Sequence, residues 1–145
     1  MIEIAVGSED FDPGALLARL EATGGGGVAS FTGLVRGEDD LEALELEHYP
    51  AMTGHALAGI ADEARHRWPL LGLVMVHRVG RLVPGERIVF VGTAASHRAA
   101  ALEACAFLID WLKTGAPFWK KEHRGARSAW VEARESDDAA RARWG

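Results

Sequence analysis

Two apolar segments, LGLVMVHRVG (71–80) and RIVFVGTAA (87–95), are separated only by RLVPGE, whose Pro-Gly pair marks a turn. Short apolar runs bounded by turn signals read as strands, so this chain is expected to build a sheet. The flanking segments supply the rest. IEIAV (2–6) reads as a first strand, and Asp12 before Pro13 reads as an N-cap with proline at the first helical position, opening a helix to about Ala22. The glycine run 24–27 ends that helix, and GVASFTGLV leads as a strand to Arg36. LEALELEHY (41–49) alternates, with Leu44, Leu46 and His48 on one face and Glu45, Glu47 and Tyr49 on the other.

TGHALAGIADEARHR (53–67) suits an amphipathic helix with Leu57, Ile60, Ala61 and Ala64 on one side, closed by Pro69. A second long helix is expected from His97 to Lys113, burying Leu102, Cys105, Ile109 and Leu112. FWKKEH and SAWVEAR read as two strands around a His-Arg-Gly-Ala turn. This order of elements implies an α+β fold with a mixed or largely antiparallel sheet. At 145 residues the chain reads as one domain, 1–145, whose last ten residues, SDDAARARWG, form a polar helix or a loose tail.

The net charge of −5 argues against general nucleic-acid or membrane binding, so any anion site must be local. A lone cysteine, Cys105, cannot form an internal disulfide and fits a reducing cytoplasm. On the apolar face of a helix it reads as a packing residue. The N-terminus has no signal-peptide pattern, and no apolar run approaches the roughly 18 residues of a membrane span.

The basic residues are distributed unevenly. Of 16 lysines and arginines, the lysines are Lys113, Lys120 and Lys121, all within LKTGAPFWKKE; every other one is arginine. A lysine can lose its proton when partly buried and act as a base or nucleophile, which arginine cannot. Lys120 and Lys121 point to opposite faces of a strand, so only one of them can share a pocket with Lys113. The intervening TGAP reversal could bring that pair together, and repulsion between two ammonium groups favours release of one proton. A helix-end charge followed by a solvated edge strand fits the same residues.

Two further segments could bind an anion. SHR (96–98) lies where a strand gives way to a helix, where backbone N–H groups, His97 and Arg98 suit a phosphate; Ser96 as a plain cap with solvated neighbours fits equally. Arg36, at a strand end before a glycine, could fork onto a phosphate or carboxylate, or stand as a surface arginine. The histidines show no metal spacing, and neither GxGxxG nor GxxxxGK[ST] is present. An enzyme using a lysine as base or nucleophile, a non-catalytic binding module and an unrelated phosphate-ligand enzyme all remain compatible with these residues.

FTGLVRG, LELEHYPAMT, HRVGRLVPGE, SHRAAALEAC, IDWLKTGAPFWKKE and WVEARE, spread in order over roughly residues 28–135, resemble the large catalytic subunit of molybdopterin synthase, the MoaE family. The resemblance implies an α/β-hammerhead-type domain with an additional antiparallel β subdomain. It implies conversion of cyclic pyranopterin monophosphate (precursor Z) to the dithiolene of molybdopterin. The sulfur would come from the C-terminal Gly-Gly thiocarboxylate of a small ubiquitin-like carrier, within a heterotetramer built on a dimer of large subunits. Lys113 and Lys120 match the family's active-site lysines, with Lys121 facing away. Arg36, His97 and Arg98 match its anion-binding positions, and Arg134 matches a basic pocket residue that could come from a neighbouring subunit. No cofactor and no metal are implied. Gly115 stands where the family commonly has a bulkier or basic residue, so a looser backbone is expected there, and the tetraglycine 24–27 has no functional reading.

Overall fold

The computed structural model describes residues 1–125, 127–131 and 135–144. In chain order the elements are β1 (Ile2–Gly7), α1 (Pro13–Glu21), β2 (Gly27–Leu34), β3 (Ala43–His48), α2 (Pro50–Arg67), β4 (Leu70–Arg78), β5 (Gly80–Leu82), β6 (Arg87–Ala95), α3 (Arg98–Thr114), β7 (Phe118–Arg124), β8 (Arg127–Val131) and α4 (Glu135–Ala142). They form two four-stranded sheets. The first runs β1-β4-β6-β2 and the second β5-β3-β7-β8. In the first, β1 lies parallel to β4 while β4–β6 and β2–β6 are antiparallel; the second is antiparallel throughout. The expected single sheet is thus two, one mixed and one antiparallel, and the α+β class with a separate antiparallel β unit holds.

The apolar pair that opens the sequence reading forms the centre of the first sheet. Every residue of β6 after Arg87 is buried, and so is every residue of β4 from Gly72 to His77. Strands apolar on both faces need cover on both. On one face, Leu16 and Leu20 of α1 pack on Val74, Val76, Phe90 and Ala94. On the other, α2 and α3 bring Leu57, Ala61, Ala64, Cys105, Phe107 and Leu108 onto Leu73, Met75 and Val91. Full burial of each large apolar side chain contributes about 1.5–3 kcal/mol, so this layer holds most of the stabilising burial.

Local chemistry sets the boundaries. The Asp12 carboxylate accepts from the Gly14 N–H at 2.9 Å, with Pro13 at the first helical position, as read from the sequence. Helix α2 begins three residues before the expected Thr53, because Pro50 takes the first helical position after an extended Tyr49. Thr53 is instead one turn inside, its hydroxyl donating to the Tyr49 carbonyl. Gly80 adopts φ +91°, a left-handed conformation that suits glycine. The chain turns there from β4 in the first sheet to β5 in the second, so Arg81 and Leu82 pair with β3 rather than forming only a loop.

Helix α3 lies on the first sheet through Ala101, Ala104, Cys105 and Leu108, whose spacing of three and four marks one face. Leu102, expected to be buried, is 59% exposed. The correction has a steric cause: alanines at 101 and 104 let the helix backbone approach the strands closely, and Leu102 is turned about 100° away from that line. Near its start the helix is pinned by the Thr93 hydroxyl, which donates to the Ala101 carbonyl at 2.6 Å. Of the two readings for the C-terminal residues, a helix is found, and it is anchored. The Trp144 indole N–H donates to the Asp110 carboxylate at 2.6 Å, and its ring meets Trp68 and Phe107 edge to face. Among the described residues, no helix is long and apolar enough to cross a membrane.

Candidate active site

Where α3 ends, the chain reverses through Gly115–Pro117 and enters β7, and a cavity of about 630 Å³ opens beside this reversal. Lys113, in the last turn of α3, and Lys120, on β7, both line it. Lys120 is half-buried and Lys113 exposed. Alternation along β7 puts Phe118, Lys120 and Glu122 on the cavity side, and all three line it. Lys121 turns the other way, with its ammonium 5.2 Å from the centre of the Trp130 ring. The expected division of the lysine cluster, one pair together and one outward, is therefore the geometry found.

Arg36 lines the same cavity from the loop that follows β2. Its guanidinium is 3.9 Å from Glu38, an exposed and weak ion pair that leaves the arginine available to a stronger anion. The apolar walls are Leu34, Val35, Leu41, Leu44, Ile88 and Leu112. Arg124, a lining residue that sequence reading passed over, ties the rim together. Its Nε–H donates to the Asp39 carbonyl at 2.8 Å, and its Nη1 lies 3.1 Å from Glu122. The hydrogen bond to Glu122 raises its pKa further above the usual arginine value. Only its place two residues after Glu122, on the same face of β7, could have signalled this. Asp39 and Asp40, in the loop it holds, both sit at positive φ.

His97 and Arg98 lie at the other end of α3, both exposed. Seventeen residues of helix span about 25 Å, so within one chain they do not join Lys113, Lys120 and Arg36. His97, not Ser96, occupies the N-cap position, and it makes no side-chain hydrogen bond to the first turn. The tetraglycine finds its reason here. A Cβ at Gly25 would collide with the Ala95 carbonyl, one at Gly26 with the Ser96 carbonyl, and one at Gly27 would come within 3.2 Å of the Arg98 Cα. The glycines let this strand entry lie flush against the turn that presents His97 and Arg98. Arg134 lies outside the described residues.

Gly115 corrects another expectation. A Cβ there would stand 2.7 Å from the Trp111 indole nitrogen and 3.1 Å from the Arg141 guanidinium carbon. The reversal after Lys113 is therefore closely packed, not loose, and the C-terminal helix helps to fill it. Two groups titrate away from their ordinary values. Burial pushes the Cys105 thiol up to about 11, which fits its packing role. Burial also lowers His77 to about 3, with the charges of Lys120, Lys113 and His48 acting in the same direction and its bond to the Arg78 carbonyl opposing them. Among the described residues, no group of three or more His, Cys, Asp or Glu side chains is placed to hold a metal ion.

The chain matches the family model described as MoaE protein over residues 6–115. It is 53% identical to the molybdopterin synthase catalytic subunit of Pseudomonas aeruginosa, over 97% of each chain. It is 51% identical to that of Escherichia coli, over 98% of this chain and 97% of the other. Among solved structures it superposes on the molybdopterin biosynthesis MoaE protein of Burkholderia ambifaria with a TM-score of 0.86 and 51% identity, covering 100% of this chain and 99% of that one.

Proposed function

This chain belongs to the MoaE protein family, and from that premise we propose that, as the catalytic subunit of a molybdopterin synthase, it is a sulfurtransferase. It moves sulfur from the thiocarboxylated C-terminus of a small ubiquitin-like carrier to cyclic pyranopterin monophosphate (precursor Z), twice, to form the dithiolene. The observation that carries the reading is the meeting of Lys113, Lys120 and Arg36 in one cavity, although they come from a helix end, a strand and a loop.

Each group has a role suited to its chemistry. A thiocarboxylate that gives up its sulfur needs its carbonyl polarised and protons moved as the C–S bond breaks. An ammonium that can release a proton does both, whereas a guanidinium does only the first. Lys113 acts nearest the thiocarboxylate, and Lys120 holds substrate or shares the acid–base work. Arg36 grips the pterin phosphate through paired N–H donors. A carrier tail ending in Gly-Gly has no side chains to obstruct it, so the apolar walls at Leu41, Leu44 and Leu112 suit its entry. The cavity is also within the volume range of small-molecule sites.

His97, Arg98 and Arg134 complete the anion site from a second copy of the chain. The 25 Å or so between the ends of α3 makes a partner copy the direct route for the first two, and a central dimer within a heterotetramer supplies one. We take residues 1–145 as a single domain and the cytoplasm as its compartment. The test is a single-turnover assay with precursor Z and thiocarboxylated carrier, following dithiolene formation. Product is expected at one equivalent of enzyme. Carrier that binds without product would leave a binding module, and product without any carrier would point to a different phosphate-ligand enzyme.

A further inference from the structure

His77 is buried, titratable and unused in the chemistry above. It sits near the end of β4, on the Leu73 and Met75 side of the first sheet, and is 6% exposed. Its imidazole stacks on Phe118 of the second sheet, ring centres 4.0 Å apart and planes 15° apart. Its Nδ1 is 2.8 Å from the Arg78 carbonyl. A carbonyl only accepts, so Nδ1 carries the proton and the tautomer is fixed. That bond also fixes the plane of the ring, and the stack passes the plane on to Phe118.

Phe118 is part of the cavity wall and lies two residues before Lys120 on the same face of β7. It is also the first residue of β7, where the reversal from Lys113 ends, with its N–H donating to the Ala116 carbonyl at 2.8 Å. On the second-sheet side, Phe118 pairs in register with His48, whose ring centre is 6.0 Å away. His48 is itself held: the Thr53 hydroxyl donates to Tyr49, so it must accept from His48 Nδ1 at 3.0 Å. Phe118 is therefore gripped between two rings, each fixed by its own hydrogen bond, at the seam between the sheets.

We infer that His77 is a positioning residue for the lysine site: its fixed ring, stacked on Phe118, sets where β7 begins and so where Lys120 stands relative to Lys113. The inference rests on the lysine cavity being the reactive site. A phenylalanine at position 77 keeps the stack and loses only the Nδ1 bond, whereas a leucine loses the ring. The cations and rings that face it are Lys120 on β7, Lys113 on α3 and His48 on β3. A ring kept uncharged there adds no third cation behind the pair.

The test compares His77→Leu and His77→Phe by two readouts. In single turnover, His77→Leu is expected to lower kcat by about 100-fold, the scale of an ångström's misplacement, with KM and carrier binding near wild type; His77→Phe is expected to recover most of the loss. In the protein alone, the pH profile for modification of Lys120 by an amine-reactive reagent, read by mass spectrometry, is expected to shift in His77→Leu and return in His77→Phe. A folded His77→Leu protein with wild-type kcat and wild-type Lys120 modification would overturn the inference, as would a His77→Phe protein no better than His77→Leu. Should His77→Leu not fold, His77→Met, adaptable in volume but ringless, is read in its place. If wild type forms no product, the sulfurtransferase reading fails, and Lys120 modification alone still decides the role of His77.

Discussion

The two sheets differ in how they are covered. In the first, β4 and β6 are enclosed by α1 on one face and by α2 and α3 on the other. In the second, β8 is exposed at every residue, and Trp119 on β7 and Trp130 on β8 are both more than two-fifths accessible. Yet the second sheet contributes Lys120, Glu122, Arg124 and Phe118 to the cavity. Stability and chemistry are divided: the enclosed sheet holds α3 and hence Lys113 in place, and the open sheet brings the facing wall. Lys113 and Lys120 face one cavity from the two sides of the seam, and the His77–Phe118 stack lies at that same seam.

That division can be broken from either side. The largest effect is expected at Phe90, fully buried between α1 and the first sheet. Phe90→Ala should lower stability by about 3–5 kcal/mol, read by chemical denaturation, and activity should follow only the folded fraction. Arg36→Ala should instead leave stability unchanged and raise KM for the pterin about 10- to 100-fold, the worth of a lost charge-assisted bond of about 1.5–3 kcal/mol. An unchanged KM would remove Arg36 from the anion site.

A separate effect comes from acid. In the fold His77 stays unprotonated down to about pH 3, while the unfolded chain takes that proton near 6.5. Between those values the unfolded state binds more protons, so this contribution to stability is complete above 6.5 and is lost as the pH falls toward 3. The slope is at most about 1.4 kcal/mol per pH unit. Denaturation midpoints from pH 7 to 4 should show that component in wild type and lack it in His77→Phe. The smallest effect is expected at Trp130, 55% exposed on the outer face of the second sheet. Trp130→Ala should change monomer stability by no more than about 0.5 kcal/mol, a sharp contrast with Phe90.

Much of this was legible in the residues. Asp12 and Pro13 announced α1, the two apolar runs announced the sheet centre, and the lysine spacing separated Lys120 from Lys121. Those signals are local, and local geometry enforces them. What escaped depends on contacts between distant segments. Periodicity favoured Leu102 over small Ala101 and Ala104, because it ranks side chains by size and cannot see a backbone approaching a strand. The crossing at Gly80 reads as a loop until β3 is placed beside it. The tetraglycine reads only as the end of a helix until the Ala95–Arg98 backbone is set against it, and the polar C-terminal residues read equally as helix or tail until Trp144 reaches Asp110. The site was partly legible for the same reason: Lys113, Lys120 and Arg36 converge, while His97 and Arg98 stand at the far end of a helix whose length the sequence did give.

The central claim is that Lys113 moves a proton and does not merely carry charge. The most direct test is Lys113→Arg in single turnover with precursor Z and thiocarboxylated carrier, with carrier affinity measured on the same protein. The account expects product formation to fall by about 100-fold or more, the usual contribution of a positioned acid or base, while carrier affinity stays near wild type. Product formed at the wild-type rate by the arginine variant would contradict it, because a fixed charge would then suffice.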